Sequence, residues 1–351
     1  MNLSINPNPK LKPRPISNQK HLPLYVHLKM ESESISGGIL VLLLILFLAI
    51  IGGNLLRQKN FEYLHDAGLS TLLGALFGLI LELLGETPQI KSITALNSEF
   101  VLYVLLPPII FKSGYNIDKK QFFGNFSEII LYSFLGSLIS TFIIAWGCFL
   151  LNYFEIASLQ FTLSEAFTFG VLISSTDPTS VIQIMEKMNI NSDLYNIIIG
   201  EGLINGAISI SLYRIIKDNS QAGILGLGVI ETILKFFYTF FGSFFIGGAI
   251  ALIISLILKR FAKNDNHINV GVTAVIFGPW ISYLISEGFM MNGPVSILFC
   301  GIFMARYTSP NLLPATQTMI NRGYSVITYS AEILVYIFLG MGLFSFNLPY
   351  Q

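Results

Sequence analysis

The sequence predicts an all-α integral membrane protein of about ten transmembrane helices. Of its 351 residues, 53% are hydrophobic and only 11% are charged, whereas a soluble domain carries about 25% charged residues. The mean hydropathy is +0.68. Apolar runs near the length of a bilayer span, about 20 residues, recur from residue 35 onward. Most of such a surface faces something other than water.

The first 34 residues stand apart. They carry Pro7, Pro9, Pro13, Pro15 and Pro23 together with Lys10, Lys12, Arg14, Lys20 and Lys29, and no acid before Glu31. That proline density opposes a helix, so residues 1–34 read as a disordered basic tail. The apolar runs follow at 35–56, 62–84, 97–114, 122–152, 160–188, 193–217, 221–259, 268–286, 292–307 and 324–346. The run at 221–259 exceeds one span and reads as a single long tilted helix.

The connections give orientation. Those after odd-numbered spans hold Arg57, Lys59, Lys112, Lys119, Lys120, Lys187, Lys259, Arg260, Lys263, Arg306 and Arg322, whereas the even ones hold only Lys91, Arg214 and Lys217. By the positive-inside rule the odd connections face the cytoplasm or its equivalent. The basic tail argues for the reverse, and the bias spread over many loops outweighs it.

Composition also excludes functions. With 20 basic and 20 acidic residues the net charge is zero, so the partner is the lipid bilayer and no nucleic acid is implied. Cys148 and Cys300 sit in apolar runs and read as packing residues, with no disulfide and no metal site. His21, His27, His65 and His267 have no ligand-spaced partner within a span. No Ser/His/Asp grouping or phosphate-cradling glycine loop is present. No enzyme and no cofactor is expected.

Ionisable groups inside spans are costly, which makes each a functional candidate. They are Glu82, Asp177, Glu201, Glu231, Glu287, Arg306 and Glu332. Asp177 lies in SSTDPTSV (174–181), where Pro178 removes a helical donor and disfavours helical geometry at Asp177 itself. A span broken at mid-membrane frees carbonyls and half-helix ends, which transporters use to hold cations and protons. An aspartate capping the second half-helix is the alternative reading. In GEGLINGAISI (200–210), Glu201, Asn205 and Ser209 line one helical face at i, i+4, i+8. Gly202 and Gly206 form a small-xxx-small pair on which another helix is expected to pack closely.

Four blocks, LHDAGLSTLLGALFGLI (64–80), LLPPIIFKSGYNIDKKQFF (105–123), SSTDPTSV and GEGLING, with a fifth at LFCGIFMARYTSPNL (298–312), make the chain resemble the eukaryotic Na+/H+ exchangers, monovalent cation/proton antiporters, in their endosomal-type branch. The resemblance implies an inverted-repeat antiporter fold, a homodimer, and Na+ or K+ exchanged for H+. It implies a cation/proton site of Asp177, Asn205 and Thr176 beside the helix break at Pro178, and a structural ion pair of Glu201 with Arg306. Where the family places a second acid, this chain has Gly206. The repeats divide it into 35–217 (six spans), a linker helix over 218–262 and a partial second repeat over 263–351, so that roughly three last helices of such a fold are expected to be lacking. Gly206 and those helices raise two alternatives: a transport-inactive structural or accessory subunit of a larger heteromeric membrane complex, and an exchanger completed by a second chain. The membrane implied is endosomal or Golgi-type, or an organellar inner membrane, mitochondrial included.

Overall fold

A computed structural model describes residues 24–59, 64–84, 100–154, 162–176, 185, 191–219, 229–261 and 268–345. Every described element is helical. In chain order they are α1 (Leu24–Gln58), α2 (Asp66–Leu84), α3 (Val101–Tyr115), α4 (Lys119–Gly124), α5 (Phe126–Tyr153), α6 (Leu163–Ser174), α7 (Ser192–Asn219), α8 (Val229–Phe261), α9 (Ile268–Gly288), α10 (Gly293–Phe303) and α11 (Pro314–Ser345). Seven of them, all but α3, α4, α6 and α10, are long and apolar enough to cross a bilayer. Large apolar side chains such as Leu43, Phe47, Ile143, Phe245 and Leu256 point outward, as a lipid-facing surface requires.

Each apolar run contains a helix, with two differences at the ends. Residues 24–34, expected to be disordered, belong to α1. Pro23 is the last proline of the tail, and beyond it nothing in LYVHLKMESES opposes helix. The last helix begins at Pro314, ten residues before its apolar run, because Pro at the first helical position is well tolerated. The long run at 221–259 gives one helix, α8.

Backbone contacts at glycines set how the helices pair. In α2 and α11, Gly74 lies against the main chain of Ile337 and Gly78 against that of Met341, while Gly340 abuts Thr71 and Ala75. The near-constant offset makes this a parallel pair in close register. Gly247 of α8 meets Ser296 of α10 in the same way, and Ser243 accepts from the Asn292 main-chain N–H at 2.7 Å. Gly114 and Gly301 bring the backbones of α3 and α10 together as a parallel pair, with Tyr103 at the start of α3 on Tyr283 beside Gly293. Small residues serve this purpose in lipid, where close van der Waals approach drives association.

Prolines in α9 and α3 leave carbonyls that side chains from other helices take up. Pro279 inside α9 cannot donate to the carbonyl of Val275, four residues earlier, and Tyr324 Oη of α11 donates there at 3.2 Å. Pro107 and Pro108 likewise leave the carbonyl of Tyr103 free, and Trp280 Nε1 donates to it at 3.3 Å. Freed carbonyls at membrane depth need such replacement donors.

Candidate functional site

The site is built from two polar stripes and one helix end. On α5, Ser133, Ser137 and Thr141 recur at i, i+4, i+8 and are buried. On α7, Glu201, Asn205 and Ser209 recur at the same spacing. The two helices run parallel with an offset of 68, so the stripes face each other rung by rung: Ser133 Oγ donates to the Glu201 main-chain oxygen at 3.2 Å, and Ser137 Oγ to Asn205 Oδ1 at 2.7 Å.

The helix end is supplied by α6. Its start is fixed by a capping box, in which Thr162 and Glu165 each bond the other's main-chain N–H. It packs antiparallel on α5, with Gly170 against Thr141 and Ala145 and with Thr141 Oγ1 on Ser174 Oγ at 2.9 Å. It stops at Ser174, after which Ser175 is extended. The helix therefore ends ahead of Pro178. Asp177 and Pro178 themselves lie outside the described residues.

Asn205 joins the three elements. It is 3% exposed. Its Nδ2 lies 3.2 Å from the Ser174 main-chain oxygen, 3.1 Å from Thr176 Oγ1 and 3.1 Å from Glu201 Oε1. Its Oδ1 accepts from Ser137 and, at 3.4 Å, from Ser209. The structure thus brings Asn205, Thr176 and Glu201 together at the C-terminal end of α6. Oxygen donors of this kind, a carbonyl, a hydroxyl and a carboxylate, suit a hard cation.

Two expectations are corrected. Glu201 does not pair with Arg306, which is exposed on the turn after α10. The residues of that π-type turn, Met304–Thr308, put Met304, Ala305 and Thr308 inward and leave Arg306 outward. Gly206 is not a close-packing position: among the described residues nothing lies within 4 Å of a Cβ built there. Gly200, at the start of GEGLING, is crowded by the Ile129 side chain of α5.

Ion pairs join Arg57 to Asp66, and Arg214 to Glu287 at 2.6 Å. The second ties α7 to the α9–α10 turn, where the Gly293 N–H also donates to Glu287 Oε1 at 2.9 Å. Nearby, Asn292 Nδ2 donates to Ser211 Oγ at 2.8 Å. Sequence reasoning placed Arg214 in a connection and did not find this pair. Nor did it find the α5 stripe, whose signal was the S-xxx-S-xxx-T spacing. Glu82, Glu231 and Glu332 are exposed on α2, α8 and α11.

A family model described as sodium/hydrogen exchanger, transmembrane, matches residues 35–350. Sodium/hydrogen exchanger 5 of Arabidopsis thaliana is 31% identical over 314 residues, 89% of this chain and 60% of that protein. Sodium/hydrogen exchanger 8 of Homo sapiens is 30% identical over 341 residues, covering 95% and 58%. The endosomal/prevacuolar sodium/hydrogen exchanger of Saccharomyces cerevisiae is 30% identical over 310 residues, covering 88% and 49%. The chain therefore spans between 49% and 60% of the length of these relatives. Among solved structures, the sodium proton antiporter MjNhaP1 from Methanocaldococcus jannaschii superposes with a TM-score of 0.71 at 15% identity, covering 88% of this chain and 71% of that one. That likeness is one of fold.

Proposed function

The chain belongs to the sodium/hydrogen exchanger family, and from that premise we propose that it exchanges a monovalent cation, Na+ or K+, for protons at the broken end of α6. The observation that carries this reading is the convergence of Ser174 O, Thr176 and Glu201 on Asn205. Asp177, next to Thr176, is assigned the negative charge, and Pro178 the break that keeps this stretch from continuing α6. Cation and proton compete for a carboxylate, since a carboxyl that holds a proton has no net charge to offer a cation. Each turnover therefore releases one as it takes the other. The partners in this reading are the bilayer and a second copy of the chain. The name of the yeast relative supports an endosomal-type membrane.

A second reading is a transport-inactive structural or accessory subunit of a membrane complex. Gly206 favours it, because a glycine stands where the family resemblance implies a second acid, and a glycine takes no proton. Proteoliposomes decide between the two. Proton flux driven by a Na+ or K+ gradient and abolished by Asp177→Asn supports exchange. No flux from a monodisperse chain supports the structural role.

A further inference from the structure

A cavity of about 610 Å3 lies between α6 and α7, with α5 and α8 as its side walls. Leu163, Phe167 and Val171 line it from α6, and Leu212 and Ile216 from α7. Among the described residues no charged side chain lines it, and the hydroxyl of Thr141, on the α5 wall, is already bonded to Ser174 at 2.9 Å. An apolar cavity of this kind stays free of water. Left empty, it forfeits the van der Waals contacts of every wall.

The cavity follows α6 from its start. Leu163 stands beside the exposed capping box of Thr162 and Glu165, which marks the water interface, because a charge is costly deeper in the bilayer. Val171 lies eight residues further on, about 12 Å at the helical rise, and one turn before the helix ends at Ser174. One leaflet of a bilayer holds about 15 Å of hydrocarbon, so the slot has nearly the depth of one leaflet. Its volume points the same way. A dry cavity of about 150 Å3 holds one benzene, and on that scale this one has room for a chain of about 16–18 carbons. The side walls also run out to the lipid. Phe142 and Ile143 of α5 and Ile233 of α8 line the cavity and are exposed on the apolar outer surface.

We propose that one acyl chain of a bilayer phospholipid occupies this slot as a structural part of the protein. The chain enters between α5 and α8, lies along α6, and fills the space that separates α6 from the outer half of α7. Its end reaches Val171, so it props the short helix whose last turn carries the Thr141–Ser174 bond. The headgroup stays at the interface beside the start of α6, and the slot selects for chain length rather than for headgroup. The inference does not depend on the exchange reading.

The test is phospholipid binding to the purified 351-residue chain, titrated in detergent with dioleoyl phosphatidylcholine. Native mass spectrometry counts the lipids bound, and thermal unfolding follows their effect. The wild type is expected to bind one molecule about tenfold more tightly than any further one, and its melting temperature to rise by several degrees. Dihexanoyl phosphatidylcholine, whose chains end short of Val171, is expected to do neither. The double variant Leu212→Phe, Ile216→Phe fills the slot from α7 and is expected to lose the tight site. If it is not monodisperse, Ile233→Trp at the mouth replaces it. That residue is 48% exposed, a position that tolerates a larger side chain, and the tight site is expected to weaken about tenfold. A tight site that persists unchanged in the variant, or equal binding of the short lipid, overturns the proposal. So does a wild type with no tight site, the result expected if polypeptide fills the slot.

Discussion

Tyr329 Oη of α11 donates to Asp66 Oδ2 of α2 at 3.0 Å across a separation of 263 residues. Arg57 bonds the same carboxylate oxygen, and its guanidinium lies 5.5 Å from the centre of the Tyr329 ring. Further along the same two helices, Gly74 meets Ile337 and Gly78 meets Met341 in the same register. Polar anchor and glycine contacts therefore hold α2 and α11 at one setting.

That register makes Gly74 intolerant. A Cβ there would run into the carbonyl of Ile337, and backbone cannot rotate away as a side chain can. Gly74→Ala is expected to destabilise the protein by about 1–3 kcal/mol, the usual cost of overpacking. Gly136→Ala on α5, where nothing lies within 4 Å, is expected to be neutral or mildly stabilising. Thermal unfolding in detergent, with Ala at both positions, checks the contrast.

Gly206 predicts the opposite outcome for a larger change. Because its surroundings are open among the described residues, Gly206→Asp is expected to fold with its melting temperature within a few degrees of the wild type. The added acid stands one residue from Asn205, so Na+-driven proton flux is expected to rise. A melting temperature lowered as far as that of Gly74→Ala would contradict the open environment.

The Arg214–Glu287 pair ties the helix that carries Asn205 to the α9–α10 turn. Its side chains are 27% and 23% exposed, so solvent screening reduces its strength below that of a fully buried pair. Removing one partner leaves the other charge, and either Arg214→Met or Glu287→Met is expected to cost about 1–2 kcal/mol. The double variant is expected to cost less than the sum of the two. A double-mutant cycle on unfolding free energy measures the difference, and strict additivity would mean the charges do not interact.

Tyr324 and Pro279 form a matched pair of a different kind. Tyr324→Phe leaves the Val275 carbonyl without its hydroxyl donor, at a cost of about 1–3 kcal/mol. Pro279→Ala restores an N–H at the position that normally bonds Val275. The Phe substitution is therefore expected to cost less in the Pro279→Ala background, by thermal unfolding of all four combinations.

Hydropathy located the helices, since a span writes its length into the sequence. The i, i+4, i+8 stripe on α7 was legible for the same reason, and so was the end of α6 before Pro178, because both are local. What faces that stripe was not legible. The α5 spacing of Ser133, Ser137 and Thr141 has the same period, but period says nothing of partner, and the partner is fixed by a helix register of 68 residues. The pairing of Glu201 with Arg306 failed at the same point: a single π-type turn rotates Arg306 outward, and no charge pattern announces such a turn. The glycines misled for a related reason. Gly200 and Gly206 look alike in sequence, and only the neighbouring helix decides which one is crowded.

The parallel pairing of α2 and α11 also sets an order of assembly. Translation delivers about 5–20 residues per second, so α2 enters the bilayer on the order of tens of seconds before its partner exists. Through that interval its glycine groove has no helix to close it, and Asp66 awaits Tyr329. The last described helix is thus the one that seals the second, and the nascent chain depends until then on insertion machinery or lipid to shield that groove.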